Sequence, residues 1–367
     1  MSSVHDVVIV GGGAIGAACA RELARSKRRV LVIDRGGGAG EAWRAAAGML
    51  APQIDAIGDD PLFELGIAGR EYYREAAGEL KSATGIDIQL FEAGILRLAR
   101  GAEEAERLRA SVAWQRQRGH HCDWLDPTEV RSDWPWVVPT DGAIWAPRDG
   151  AVNPAPLVEA LRADARRLGA EFATDTIQAV ELQGGSVVAV RGSTRHAGGA
   201  VVLAAGAWSG RLTSLPRPVS VEPVKGHMLA LPWPEPLPPA IVYGTGAYIV
   251  SRAGEAVCGS TMEHAGFSTE VVPETVEAIR CRVVEMAPVL GSGRVLRSWT
   301  GLRPGTPDGL PIVGREPGVT GLWYATGHGR NGILLAGITG VVLGHLMDGE
   351  ATFEEVAALR PERFWNW

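Results

Sequence analysis

The sequence predicts an α/β protein (α+β in its two-domain balance) in which a parallel sheet covered by helices carries a second, mainly antiparallel layer inserted twice. Three observations lead there. The chain opens as strand, glycine turn, helix and second buried strand. Strand and helix blocks of the same kind return in the middle and at the C-terminal end. Between the blocks the texture changes to strand-like alternation with few helices.

Val7-Val8-Ile9-Val10 is a continuously apolar, β-branched run that stops at Gly11, and a helical pattern follows with Ile15, Cys19 and Leu23 on one face. Arg29 to Asp34 forms a second buried strand ending in an acid. Together these make a βαβ unit of about 30 residues, which needs a parallel sheet under helices. A helix is predicted from Pro156 to Leu168, after Asn153-Pro154 and before Gly169. Glu171-Phe172 and Val201 to Ala204 are further strands. Residues near 88–144 and 218–294 hold strand-like segments such as Ile95-Leu96-Arg97-Leu98 and Ala247-Tyr248-Ile249-Val250, with helices at Glu103 to Gln115 and Glu274 to Glu285. The first domain is accordingly expected in three parts, 1–87, 145–217 and 295–367, and the inserted one in two, 88–144 and 218–294. The prolines between Pro232 and Pro239 read as a stiff connection.

Composition narrows the function. With 367 residues, 46% hydrophobic and 21% charged, the chain has a globular profile that excludes disorder and collagen. A net charge of −6 without long runs of one sign argues against nucleic acid or an anionic membrane as partner and favours a small molecule. Cys19, Cys122, Cys258 and Cys281 show no metal spacing, so no metal and no disulfide are expected, and a cytoplasmic location fits. Met1 to Asp6 lacks the basic start of a signal peptide. The most apolar stretch, Gly332 to Gly344, reads as shorter than the ~18 residues of a membrane helix. Histidines such as His120 and His121 read as solvated or core residues. The chain's 48 glycines are nearly double the usual ~7%, which directs attention to where they cluster.

Gly11, Gly13 and Gly16 form G-x-G-x-x-G between strand and helix, with Ala14 and Ile15 inside it and Asp34 ending the next strand. The glycines permit a tight turn, close approach of backbone to a pyrophosphate, and tight helix–strand packing. Phosphates then meet the helix N-terminus, and Asp34 is placed to accept from ribose hydroxyls. Two further loops, Val201 to Ser209 with Ala205, Gly206 and Trp208, and Thr326 to Ile333, bring small residues to strand ends. The second leads into a helix whose N-terminus would favour negative charge on a reduced flavin ring. Three such loops along one chain suit a ligand as long as FAD.

The segments Ala45-Ala46-Ala47-Gly48-Met49-Leu50-Ala51-Pro52, Gly301-Leu302-Arg303-Pro304-Gly305-Thr306-Pro307-Asp308-Gly309 and Gly327-His328-Gly329-Arg330-Asn331-Gly332-Ile333-Leu334 resemble those of the glycine oxidases of thiamine biosynthesis. Those enzymes belong to the D-amino-acid oxidase group of FAD-dependent amine oxidases, and the resemblance covers nearly the whole chain. It implies a Rossmann-like FAD-binding domain of the glutathione-reductase type with an inserted substrate domain. Cofactor contacts are implied at the glycine motif, Asp34, Arg35, Ala46 to Met49, Ile177, Ala205, Gly206, Trp208, Arg303 and His328 to Leu334. Arg303 matches the family's carboxylate-binding arginine, Tyr248 the tyrosine bonded to the same carboxylate, and Arg330 a position at substrate and flavin. Met49 and Met262 match side chains lining the pocket.

Two positions depart from the family. Where it usually carries Ser or Thr this chain has Trp43-Arg44, with Arg44 as the electrostatic substitute, and Gly246 replaces a histidine found at the mouth in some members. The implied reaction is hydride transfer from Cα of a neutral amine to flavin N5, then reoxidation by dioxygen to hydrogen peroxide. It needs no side-chain base, and the sequence displays no convincing His/Glu dyad. In related sarcosine oxidases a cysteine near the C-terminal motif tethers the flavin. Cys281 lies about twenty residues upstream of that motif, so FAD is expected to be non-covalent. Alternatives are a D-amino-acid or N-methyl amino-acid oxidase or dehydrogenase with a larger pocket, with quinone replacing dioxygen, and a non-catalytic FAD-binding subunit. A homo-oligomer is compatible with either.

Overall fold

A computed structural model of the chain describes residues 5–56, 58, 61–244, 246–350 and 353–364. The first strand, His5–Val10, pairs in parallel with Val30–Asp34 on one side and Arg195–Leu203 on the other. The sheet continues in parallel to Glu171–Thr174 and Leu322–Thr326 and ends on the antiparallel strand Ile312–Arg315. Alternate side chains of the central strands go to opposite faces. Val7, Ile9, Val30 and Val32 pack against Cys19 and Leu23 of the helix Ala14–Arg25. Val8, Val10, Leu31 and Ile33 pack against Val180, Val187 and Val190. Those last residues lie on the hairpin formed by Ala179–Gln183 and Ser186–Arg191. Helices therefore cover one face only; a β-hairpin covers the other, where the sequence suggested helices. Apolar residues at alternate positions around Gly184-Gly185 supply the same kind of face in less chain.

On the helical face, Pro154–Arg167 and Phe63–Thr84 pack with Ala14–Arg25 around the helix Gly332–Asp348. With its leading turn this last segment, Gly329–Asp348, is a 20-residue helix of mean hydropathy 1.3. By length and composition it is able to cross a membrane, which corrects the shorter stretch expected from sequence. In the fold it is a core helix, with Leu334, Leu335, Ala336 and Ile338 buried. The three main predicted helices extend by one or two residues beyond most of their expected ends, to Pro154–Arg167, Ala102–Gln117 and Pro273–Met286, though the first ends at Arg167. Pro154 and Pro273 start theirs because proline fits the first helical turn, where its missing N–H costs nothing.

The second sheet runs in the order Arg297–Gly305, Glu222–Pro232, Glu255–Gly259, Ala247–Arg252, Ile241–Gly244, Ile95–Leu98, Ala143–Ala146, Asp123–Leu125. Its ladders are antiparallel except between Ile241–Gly244 and Ile95–Leu98. Arg297–Gly305 keeps register with Glu222–Pro232 from Ala230 opposite Arg297 to Glu222 opposite Gly305. That segment was expected in the first domain. It is a regular strand of the antiparallel sheet, and Pro304 is tolerated there because the strand lies at the sheet edge. We propose that the last domain boundary falls after Gly305 rather than at 295. Leu302 N–H donates to the Gly40 carbonyl (2.9 Å), tying this edge to the chain beyond the second parallel strand.

Candidate functional site

A cavity of about 790 Å³ is walled by residues of both sheets, within the ~300–1,000 Å³ range of small-molecule sites. At one end stands the glycine turn. Gly11 has φ +102°, and a Cβ there would lie 2.4 Å from the Ala204 carbonyl; a Cβ at Gly16 would lie 1.9 Å from the Gly11 carbonyl. Gly11, Gly13, Ala14 and Ile15 line the cavity. Gly16 stands behind them and works through helix–strand contact. The Asp34 carboxylate accepts from Gly12 N–H (2.7 Å) and Gly36 N–H (3.0 Å), which holds the loop open beneath it. Arg162 was not picked out from the sequence. It reaches from the helix Pro154–Arg167 to donate through Nε to the Gly12 carbonyl (2.7 Å).

The next stretch of wall carries Arg35, Ile177, Ala205, Gly206 and Trp208. The Arg35 guanidinium lies 3.8 Å from the Trp208 ring centroid and donates to Glu41 (2.9 Å). Beneath Ile177, the Asp175 carboxylate accepts from the N–H groups of Thr176 (2.7 Å), Ser193 (2.9 Å) and Thr194 (3.2 Å), and lies 2.9 Å from His196 Nε2. Burial alone would raise this acid, but His196 and the backbone donors outweigh it and hold the carboxyl far below its usual range.

Ala46, Ala47 and Gly48 form the middle of the wall, which His328 to Leu334 also line. The short turn Gly329–Asn331 leads into Gly332–Asp348, so a helix N-terminus does meet the cavity. His328 is buried, with Nε2 3.0 Å from Thr339 Oγ1. Burial pushes its ring down to about 3, so it stays neutral. Its Nδ1 is buried without a hydrogen-bond partner among the described residues. A glycine turn whose Gly11 leaves no room for a Cβ against the Ala204 carbonyl, and a helix N-terminus at the same cavity, fit the expected FAD. Arg44 does not join this wall. Its side chain is half exposed, stacks 4.4 Å from the Trp43 ring and faces a separate hollow with Arg252 and Arg297. Trp43, not Arg44, lines the cavity, because one turn of helix over Ala42–Ala45 puts neighbouring side chains on different sides.

At the far end Arg303, Tyr248, Met49, Met262 and Gly246 come together. Arg303 Nη1 donates to the Thr261 carbonyl (3.0 Å) and Nη2 to Ser260 Oγ (2.7 Å). Tyr248 is raised by burial, an effect the Arg303 charge opposes. Its ring stacks 6.3 Å from Tyr243, and its hydroxyl contacts Met228 Sδ at 3.3 Å. Gly246 has φ +76°, which disfavours a side chain there. Met262 is 68% exposed and so forms the rim. Arg330 lies at the cavity edge, half exposed, 3.4 Å from Asp55 Oδ1. Ser260, Gly226, Tyr243 and Asp55 belong to this end and escaped the sequence reading, because short strand segments give no local sign of which residues will share a pocket. Behind the lining, His227 and Glu263 make a dyad, with Nδ1 2.8 Å from Oε1. The pair does not line the cavity and so is not a base for the reaction.

Comparison with known proteins agrees with this geometry. The family described as "FAD dependent oxidoreductase" matches residues 6–346. The chain is 36% identical to the glycine oxidase of Geobacillus kaustophilus, over 97% of this chain and 96% of that protein. Superposed on the crystal structure of glycine oxidase from that organism, it gives a TM-score of 0.94 with 99% of each chain covered and 34% identity. It is also 35% identical to the bifunctional protein ThiO/ThiG of Synechocystis, over 99% of this chain and 55% of that longer protein.

Proposed function

The chain belongs to the FAD dependent oxidoreductase family, and from that premise we propose that it oxidises glycine with dioxygen to the imine and hydrogen peroxide, water then releasing glyoxylate and ammonia, and that other small amines such as sarcosine or D-alanine react in the same way to their own oxo acid and amine or ammonia. The observation that carries this reading is the Arg303 guanidinium, held by Ser260 and Thr261 beside Tyr248 at the cavity end opposite the glycine turn. Two of its five N–H groups are committed to the protein, which leaves the others for a bidentate pair with an amino-acid carboxylate. FAD, when bound, supplies the two-electron acceptor at its ring.

Arg303 fixes the carboxylate, the Tyr248 hydroxyl adds a second donor by turning from Met228 Sδ, and Met49 and Met262 wall the remaining space with apolar surface. A substrate held at one end in this way gains orientation, which is where much of the rate of such a reaction arises. The amine's own lone pair assists loss of the Cα hydrogen, so no side-chain base is required. His328, neutral and tied to Thr339, offers a hydrogen bond rather than a charge. Gly11, Gly13, Asp34, Arg35 and the turn Gly329–Asn331 would hold the cofactor. None of the four cysteines lines the described cavity, which supports non-covalent FAD. The word oxidase in the relatives' names supports dioxygen as acceptor. Unpaired thiols, three of them buried, support a reducing compartment such as the cytoplasm. A place in thiamine (thiazole) synthesis belongs to the same reading.

The test is the absorption spectrum of the purified protein before and after anaerobic addition of glycine, followed by initial rates with glycine, sarcosine, D-alanine and D-proline. Bleaching of the long-wavelength flavin band by glycine is expected. Turnover of D-proline with none of glycine would overturn the substrate assignment, and failure of the isolated chain to release peroxide with any amine would make it a binding subunit.

A further inference from the structure

Met262, at the rim of the cavity, and Ser260 and Thr261, which hold Arg303, lie on one short segment after the strand Glu255–Gly259. That segment is held from behind. Lys225 and Glu263 exchange backbone hydrogen bonds, each 2.9 Å, and form an isolated antiparallel bridge. His227 N–H donates to Thr261 Oγ1 (2.9 Å), and Thr261 Oγ1 donates to Glu263 Oε1 (2.5 Å). The His227 ring, wholly buried, bonds Glu263 Oε1 through Nδ1 (2.8 Å), while its Nε2 accepts from Val272 N–H (3.0 Å). A backbone N–H can only donate, so Nε2 is the unprotonated nitrogen and the ring proton sits on Nδ1, aimed at the carboxylate.

The Glu263 carboxylate thus gathers two donors on one oxygen. Burial would raise this acid, but the bonds from Thr261 and His227, with the Lys225 charge nearby, hold it below its usual range and keep it ionised. None of His227, Glu263 and Lys225 lines the cavity. They stand one layer behind Arg303, and Gly226, between Lys225 and His227, lies directly against its guanidinium.

We propose that Glu263, with His227, is a positioning residue that fixes the Ser260–Thr261 segment and so sets where the Arg303 guanidinium meets the substrate carboxylate. The inference rests on the carboxylate-binding role given to Arg303 in the proposed function. Removing the Glu263 carboxylate leaves Thr261 held only by the His227 N–H and the Lys225–Glu263 backbone bridge, so the segment loosens, the Thr261 carbonyl and Ser260 hydroxyl are less firmly placed, and Arg303 spreads over more than one rotamer. Substrate binding then weakens more than turnover does.

The experiment uses the FAD-loaded protein and two readouts: KM and kcat with glycine, and the Kd of acetate, a carboxylate without an amine, from its perturbation of the flavin spectrum. Glu263→Ala is expected to raise both KM and the acetate Kd about tenfold with little change in kcat. Glu263→Gln keeps an oxygen to accept from His227 and Thr261 and is expected to stay within about threefold of the parent. In an Arg303→Ala background Glu263→Ala should add nothing, since a residue acting through Arg303 has no effect once Arg303 is gone. An unchanged acetate Kd in flavin-replete Glu263→Ala, or a full additive loss in the double variant, would overturn the inference. Should Glu263→Ala fail to fold, a tenfold loss in Glu263→Gln would count against it and parental behaviour for it. A parent protein that binds acetate but leaves glycine untouched would end the substrate assignment alone, and the acetate arm would still decide the role of Glu263. A parent that binds neither would end both.

Discussion

Gly226→Ala is the perturbation that tests the substrate clamp most sharply, because it adds a single methyl group. Gly226 lies in the strand Glu222–Pro232 opposite Gly301, in a backbone that alanine accepts. A Cβ there would fall 2.1 Å from Arg303 Nη1 and 2.7 Å from both Cζ and Nη2, so something must move. The obstacle is the end of a side chain rather than backbone, which makes displacement of Arg303 cheaper than distortion of the sheet. The guanidinium then leaves Thr261 (3.0 Å) and Ser260 (2.7 Å), and bonds to a charged group are worth about 1.5–3 kcal/mol each. Deleting the side chain outright, in Arg303→Ala, sets the ceiling at about 3–5 kcal/mol of kcat/KM. Displacement should forfeit around half of that, about 2 kcal/mol or thirtyfold. The assay is steady-state peroxide release with glycine, alongside flavin content and Tm. Expected are parental flavin content, a Tm within a few degrees, and the thirtyfold loss mostly in KM. Parental kcat/KM with full FAD would mean that Arg303 either has room to shift without cost or is not the anchor.

Two other expectations follow from the opposite end of the cavity. Gly16→Ala places a Cβ 1.9 Å from a backbone oxygen, Gly11 O, that cannot rotate away. The helix must part from the strand, at about 1–3 kcal/mol or more, and the purified variant should be colourless; a yellow protein with parental Tm would show that the loop yields. Asp175 has its acid strength raised by His196 and backbone donors, so its carboxylate stabilises the fold above the ordinary value of 3.8, and that stability is lost as pH falls through the lowered native value. Asp175→Asn should therefore lower Tm at neutral pH, with the gap from the parent closing as the pH drops below about 4. A gap independent of pH would remove the charge from the explanation.

The cofactor half of the site was legible in the sequence because its requirements are local. A glycine motif, the acid that ends the next strand and small residues at strand ends each fall within one turn and its flanks, so Gly11, Gly13, Asp34, Gly206 and Gly329 could be named from spacing. The substrate half was legible only through family resemblance, which pointed to Arg303, Tyr248 and Met262. Arg44 shows the limit of that route. Its position in the chain suggested the cavity, but the helical turn over Ala42–Ala45 directs it away and brings Trp43 in instead. The hairpin over the parallel sheet and the strand through Pro304 were missed for a related reason: an alternating apolar face fits more than one layer, and an edge position that tolerates proline is known only when the sheet is assembled.

By itself, then, the amino-acid order determined the βαβ start and the nature of the ligand, since each depends on residues near in sequence. Tertiary structure decided what stands behind the site. Arg162 meets Gly12 across 150 residues, and His227 meets Glu263 across 36. Neither pair has a spacing rule, because nothing in the covalent chain links them. They meet only after the burial of two sheets brings distant segments together, and inside that low-dielectric interior a buried polar group must find a partner. The Arg303 clamp is therefore a property of the assembled sheet, while the glycine turn at the cavity's other end is already present in the first strand and helix.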